Sequence, residues 1–350
     1  MSEEFIIPTG KIIKEYLDEY GINQKELCHR IGMSEKHVSN LLNGNCRLTE
    51  DFALKLEKVL TEIPASYWLN YESKYRELLA RNEELYKINQ SNLEDTAKKF
   101  GFKDVFDGLG LTLIEQAIEM LKLLKISDFE NFDKTYSNLL VDFMEDGGEK
   151  ELIGVWLNLC ESEIEIQNED FKVGTYNSKE LEKHLGKFKV IAYNSDVQLS
   201  ISSCRKLCNK LGVYLVLCNA IPNSKVRGAL TTYKGNPAIY LSGRFKSHDH
   251  IWFAFVHELG HLLKHYNKKD IFITLEDSDN GGNQKEIEAD EFARDFFINN
   301  ENYRGFISNA KITKENILQF SKEENVLPGI LIARLQHDGI IPYDKYSYLK

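Results

Sequence analysis

Proline and glycine are scarce, at 6 and 22 of 350 residues, which excludes collagen-like and low-complexity architectures. No apolar run approaches the roughly 18 to 20 uncharged residues that a helical membrane span requires, so membrane partners are not expected. Six cysteines, Cys28, Cys46, Cys160, Cys204, Cys208 and Cys218, form no CxxC pair and no dense framework. They read as reduced, mostly buried thiols, Cys204 and Cys208 included. Positive charge is in deficit as well: 44 Lys and Arg against 54 Asp and Glu give a net charge of -10. That balance opposes non-specific adhesion of the whole molecule to nucleic acid or anionic lipid, so any DNA contact must be local. The opening MSEEFIIPTG has neither a basic region nor a long apolar one, so secretion is not signalled and a soluble, cytoplasmic protein is expected.

What the chain does have is 42% hydrophobic and 11% aromatic content, enough for at least one large core. Its length suits two or three domains. Residues 8 to 70 read as short helices with tight turns. Asn23 can cap a helix that begins at Gln24, with Glu26 at the reciprocal capping-box position, and Gly32 ends it. Ser34 caps a second helix, Glu35 to Asn43, closed by Gly44 in a left-handed conformation. Leu27, Ile31, Val38, Leu41 and Leu42 fall where two such helices would bury them across a short turn, the helix-turn-helix arrangement. The second helix would then offer Glu35, Lys36, His37 and Asn40 to base edges of duplex DNA, with Gln24 near a phosphate or base.

The stretch NQKELCHRIGMSEKHVSNLLNG resembles the XRE family of phage-repressor-type DNA-binding domains. The following RLTEDFALKLEKVLTEIPASYWLNYESKY resembles the HigA-like antitoxin subgroup, so the likeness covers about residues 5 to 76. It implies a duplex operator as partner, and repressor symmetry makes a homodimer plausible. Residues 1 to 70 carry eight Lys and Arg against eleven Asp and Glu. The competing reading is a helix-turn-helix reused for dimerisation or for a protein partner.

Helical composition continues through a connector, assigned to residues 77–149, with a helix over LTLIEQAIEMLKLL and another over about 149 to 167 that includes Trp156. After a helix around Ser200 to Leu211, VYLVLC, GALTTY and PAIYLS are β-rich and bounded by Gly, Pro or Asn, which predicts a small sheet.

The most informative segment is IWFAFVHELGHLLKHY. His257 and His261 are four apart, so on a helix they stand about 6 Å apart along the axis and can converge on one ion. Glu258 is placed to take a proton from a water at that ion, which completes HExxH. Trp252, Phe253, Phe255, Val256, Leu259, Leu262 and Leu263 frame the motif as a buried helix. His265 lies about 12 Å from His257 along the axis, too far for all three to share an ion. Where the extended metzincin pattern asks for glycine and histidine, this chain has Lys264 and Asn267.

A third ligand must come from elsewhere, and KEIEADEFARDFF is the best source. Glu286, Ala289, Asp290, Ala293 and Phe297 share one helical face, while Glu288 points away from it. Small Ala289 and Ala293 would let the helix approach closely enough for Glu286 to reach the metal. Asp290, one turn on, could accept the N–H of His257 and fix its tautomer.

HELGH followed by ExxA within EIEADEFA resembles the ImmA/IrrE family of zinc metallopeptidases. PAIYLSGRFKSHDHIWFAFVHELGHLLKH and VLPGILIARLQHDGIIP resemble it too, over about residues 150 to 345; the helix ends in FFINN where the family often has a Leu-Leu-Met-Pro-like segment. The resemblance implies Zn2+ held by His257, His261 and Glu286, with Glu258 as catalytic base. Two neutral imidazoles and a carboxylate leave zinc one positive charge and an open position, the setting for peptide hydrolysis. A second oxyanion donor remains open among His265, Tyr266, Arg294, Tyr303 and His337, and PAIYLS could receive substrate as an added strand if it forms the sheet edge.

The expected fold is therefore multidomain: an all-α helix-turn-helix head at residues 1–76, a helical connector at 77–149, and an α+β zincin-like metallopeptidase domain with a small β-sheet at 150–350. Family members typically act on helix-turn-helix repressors, so the resemblance implies a zinc endopeptidase with a repressor or antitoxin as substrate and an operon as its target. The alternative is an antitoxin-like DNA-binding transcription regulator with a structural or sensory metal site and no proteolysis. Glu258 discriminates, because a structural site needs no base.

Overall fold

The computed structural model describes residues 7–90, 92–140, 149–169, 172–243, 247–275, 284–309 and 311–350. The chain forms two compact units, Met1–Leu93 and Glu94–Lys350.

The first unit holds α1 (Thr9–Glu19), α2 (Gln24–Ile31), α3 (Glu35–Leu42), α4 (Glu50–Val59) and α5 (Ala65–Gln90). Side chains of Asn23, Ser34 and Thr49 cap α2, α3 and α4, each accepting from the backbone N–H three residues on. Each cap contributes about 1 kcal/mol to helices too short to stand alone. The reciprocal half of the α2 capping box is absent: the Glu26 carboxylate turns instead to Arg30, one turn along the same helix. Gly32 and Gly44 close α2 and α3 with φ of 65° and 77°, conformations that cost a side-chain-bearing residue about 1 to 2 kcal/mol. Leu27, Ile31, Val38, Leu41 and Leu42 are all buried, with Phe52, Leu56 and Trp68 in the same core.

The second unit begins with α6 (Leu93–Lys99), α7 (Phe102–Phe106), α8 (Leu113–Leu124), α9 (Phe132–Leu140) and α10 (Lys150–Gln167). It continues through α11 (Ser178–Lys183), α12 (Leu185–Ala192) and α13 (Val197–Lys210) into β1 (Tyr214–Cys218), β2 (Val226–Tyr233) and β3 (Asn236–Ser242). Then follow α14 (His248–Lys264), β4 (Phe272–Leu275), α15 (Gln284–Phe297), α16 (Asn300–Asn309), α17 (Lys314–Glu323) and α18 (Pro328–His337). Among the described residues no helix is long and apolar enough to cross a membrane, and all six cysteines are free.

The sheet order is β1-β3-β2-β4, with β1 parallel to β3 and the other pairs antiparallel. Leu230, Ile239 and Leu241 pack with Trp252, Phe255, Val256 and Leu259 of α14 in one core. Tyr240, on the opposite face by the alternation of a strand, meets the Trp156 ring of α10 edge-on at 6.4 Å.

Two expectations need correction. The connector over 77–149 is not a separate body. Its start is the second half of α5, a continuous helix of 26 residues anchored by buried Trp68 and Glu72. The Glu72 carboxylate takes hydrogen bonds from the Thr9 hydroxyl and the Leu48 N–H and pairs with Arg76, which ties α5 to the first unit. The remainder joins the second unit: a Cβ on Gly154 of α10 would stand only 2.8 Å from the Phe132 ring, and Asn158 donates to the Tyr136 hydroxyl at 2.8 Å. The second correction concerns PAIYLS. It forms β3, which pairs on both sides and has no free edge; among the described residues the edge strands of this sheet are β1 and β4.

Candidate metal centre

α14 carries His257, Glu258 and His261 at 3%, 0% and 0% exposure, a burial that charged or ionisable groups sustain only with partners. Gly260 on the same helix allows α15 to come close: a Cβ there would stand 3.1 Å from the Phe292 ring and 3.2 Å from Cα of Ala289. Across this contact the Glu286 carboxylate reaches both rings, Oε2 to His257 Nε2 and Oε1 to His261 Nε2, each at 3.1 Å. The two Nε2 atoms are 3.0 Å apart. Donor atoms of the three residues all lie within 4.8 Å of one another. Two ring nitrogens and a carboxylate aimed at a common point fit a divalent cation of the kind that takes nitrogen and oxygen ligands.

Each imidazole has a second partner. His257 Nδ1 is 2.8 Å from Asp290 Oδ1. His261 Nδ1 is 3.2 Å from His265 Nδ1, and His265 Nε2 is 3.1 Å from Glu288 Oε2. Glu288, pointing away from Glu286 as the helical face predicts, thus meets His265 rather than the centre.

Burial alone would lower His257, but its hydrogen bonds to Asp290 and Glu286 raise it to about 10. Burial raises Glu258 to about 8, against the charge of His257 and the bond from Thr274. Glu286, which burial would raise, is held down at about 2 by its bonds to His257 and His261. Burial lowers His261, against the Glu286 hydrogen bond.

Glu258 faces the sheet. The Thr274 hydroxyl on β4 donates to its Oε1 at 2.8 Å, while Oε2 is buried and has no hydrogen-bond partner among the described residues. Gly228 on β2 makes the room, since a Cβ there would lie 2.6 Å from Oε1. Neither residue was found from the sequence. β4 is only four residues long, and both contacts depend on strand pairing distant in the chain.

Beside the site runs a cavity of about 270 Å³, lined among others by His257, Glu258, Thr274, Asp290, Arg294 and His337. Of the five side chains open as a second oxyanion donor, Arg294 and His337 line this cavity. The other three are engaged elsewhere: His265 as described, Tyr266 with the Thr232 hydroxyl at 2.8 Å, and Tyr303 with Asp338 at 2.8 Å.

Residues 208–336 match the IrrE N-terminal-like domain family, and residues 13–68 match a helix-turn-helix family. The chain joins an XRE-type helix-turn-helix domain to an IrrE/ImmA-like domain. The whole candidate centre, from Gly228 to Asp290, falls inside the IrrE/ImmA-like match. Curated relatives align with the helix-turn-helix domain. Antitoxin HigA-1 of Vibrio cholerae is 37% identical over 67 residues, 19% of this chain and 62% of HigA-1. An uncharacterized HTH-type transcriptional regulator of Escherichia coli, YddM, is 34% identical over 64 residues, 18% of this chain and 67% of that protein. Virulence-associated protein A' of Dichelobacter nodosus is 32% identical over 66 residues, 19% of this chain and 57% of that protein. The chain thus spans about two thirds or less of the length of these relatives.

In the helix-turn-helix domain, Gln24 is exposed at the start of α2, and Glu35, Lys36 and Asn40 are exposed on α3. His37 is half-buried, its ring 6.3 Å from that of Phe52 on α4.

Proposed function

We propose that the chain is a zinc-dependent endopeptidase carrying a helix-turn-helix module, and that it acts on a transcriptional repressor or antitoxin to control an operon. The observation that carries this reading is the meeting of His257, His261 and Glu286 beside a buried carboxyl, Glu258, whose Oε2 has no hydrogen-bond partner among the described residues. Zinc held by those three residues would polarise a peptide carbonyl and acidify a water.

The chain's own groups would do the rest. Glu258, fixed through Oε1 by Thr274, takes a proton at Oε2 and returns it to the departing amine. Burial raises the Glu258 carboxyl above the ordinary carboxylate range, the direction that makes it a stronger base. Asp290 holds the Nδ1–H of His257, which leaves Nε2 as the ligating atom. Arg294 or His337 supplies the second donor to the oxyanion. Among the described residues β4 pairs with β2 on one side only, so its outer edge takes an extended substrate as an added strand, the role first read into PAIYLS.

Lys36, Asn40, Glu35, His37 and Gln24 then read duplex DNA in the cytoplasm, a function that the HTH-type regulators among the relatives support. The same likeness favours a second reading, a DNA-binding regulator whose metal is structural or sensory.

Metal analysis comes first: about one zinc per wild-type chain and none on His257→Ala. Candidate repressors are then incubated with wild type and with Glu258→Gln. Cleavage lost in Glu258→Gln with zinc retained supports the peptidase; cleavage that survives the substitution unchanged removes Glu258 as base. Zinc retention with no repressor cut by either form favours the regulator.

A further inference from the structure

The cavity beside Glu258 contains polar atoms that the mechanism above does not use. β2 pairs Val226 with Leu275 and Gly228 with Thr274, so the register shifts across Arg227. That bulge comes immediately before the glycine that makes room for Glu258. Bulges re-aim a side chain, and Arg227 lines the cavity. Arg227 and Ser242 are the next residues beyond the paired Gly228 and Leu241, on neighbouring strands β2 and β3. Both line the cavity; Arg227 Nε and Ser242 Oγ are buried and make no hydrogen bond among the described residues. Ser242 is 8% exposed. Leaving such a group unsatisfied costs about 1 to 3 kcal/mol, more when it is charged. Asp249, the acid on the cavity wall outside the metal site, pairs with Lys350 Nζ at 3.0 Å and lies 3.4 Å from His250 Nδ1, its carboxylate oxygens are buried without a hydrogen bond, and no ion pair joins it to Arg227 among the described residues.

We propose that Arg227 and Ser242 form a subsite that binds a carboxylate, the side chain of an acidic residue in the peptide substrate. The guanidinium supplies a charge-assisted hydrogen bond and the hydroxyl a second donor, on a ligand that satisfies both orphaned atoms at once. The subsite rests on the peptidase reading for the identity of its substrate, while carboxylate binding itself requires no turnover. It makes the enzyme selective for an aspartate or glutamate near the scissile bond.

The test uses the full chain, incubated with zinc and freed of excess, with 15N-labelled arginine. Three probes are titrated: N-acetyl-glutamate methylamide with its side-chain acid, N-acetyl-glutamine as the free α-acid, and N-acetyl-glutamine methylamide with neither. The expected result is a saturable shift of the Arg227 Nε–H signal by the first probe alone. Arg227→Met and Ser242→Ala should weaken that binding, as read by calorimetry, by about 10- to 100-fold for the arginine and less for the serine. Arg227→Lys should restore part of it, which a merely structural arginine would not do. Equal response to all three probes, or none, overturns the subsite; response to the free α-acid alone overturns the side-chain assignment. Zinc content is measured on the same samples. A chain that binds the first probe but holds no zinc retains the carboxylate site and loses the peptidase reading, whereas one that holds zinc and ignores the probe does the reverse.

Discussion

At Gly228 the missing side chain leaves the space that Oε1 of Glu258 occupies. Gly228→Ala would force the carboxylate off its Thr274 bond while leaving His257, His261 and Glu286 in place. Zinc content is expected to stay near wild type and repressor cleavage to fall more than about 10-fold, with a stability loss of about 1 to 3 kcal/mol in urea denaturation. Asp290→Asn is expected to weaken zinc binding by about 10- to 100-fold in a chelator competition, because the partner that fixes the His257 tautomer is lost. Protons report on the same group. His257, raised from 6.5 to about 10, binds its proton more tightly in the folded chain than in the unfolded one. Its contribution to the stability of chelator-treated protein is complete below pH 6.5 and lost as pH rises through 10. Glu286, lowered from 4.5 to about 2, acts in the opposite sense: its contribution is present above pH 4.5 and lost as pH falls through 2. Zinc must displace the His257 proton, so calorimetry at pH 7 in buffers of differing ionisation enthalpy should record about one proton released per ion. No buffer dependence would mean that His257 is already neutral. The sequence made His257, His261, Glu286 and Asp290 readable together because helical periodicity fixes residues four apart on one face. Thr274, Gly228 and Arg227 were not readable, since no local period brings a strand residue to a helix.

Between elements, the close approach of α14 and α15 decides whether the carboxylate reaches the rings. Ala289 is fully buried where Gly260 faces it, and Ala293 and Phe297 continue the same packed face. Ala289→Leu is expected to part the helices. Zinc affinity should drop at least about 10-fold and stability by about 1 to 3 kcal/mol, while Ala289→Ser, close to it in volume, should keep most of both. Zinc binding unchanged in the leucine variant would show that Glu286 reaches the centre without help from this packing. The helices themselves were well marked in the sequence. α10 covers Lys150–Gln167 against an expected 149 to 167, and α13 and α14 begin and end within about three residues of expectation. Strand order was not marked. Three apolar runs predicted a sheet, but runs alone carry no information about which strand lies inside, and the short run IFITL that holds β4 was not read as a strand. The buried burst of β3, AIYLS, is what a central strand paired on both sides requires.

For the whole molecule, the division into two units separates two chemistries that composition mixes. The net charge of -10 argues against indiscriminate DNA binding, yet it says nothing about one helix face. The first unit could be recognised because caps and glycines sit at fixed offsets around α2 and α3. Its far boundary was missed because α5 runs on past residue 76 without a break, and only the buried Glu72 and Trp68 reveal where it is anchored. If α3 reads a duplex, the full chain should bind an operator fragment with an affinity that falls steeply as salt rises. Lys36→Ala should weaken all sequences about equally and reduce the slope of log affinity against log salt by about 1, whereas Asn40→Ala should narrow the gap between operator and random DNA. His257→Ala should leave both measurements unchanged, because its partners all lie in the second unit. Gel-shift titrations from low to physiological salt read all three outcomes. Should no operator fragment shift even at low salt, the exposed face of α3 serves a protein partner instead, and the acidic balance of the head is then the feature that such a partner would recognise.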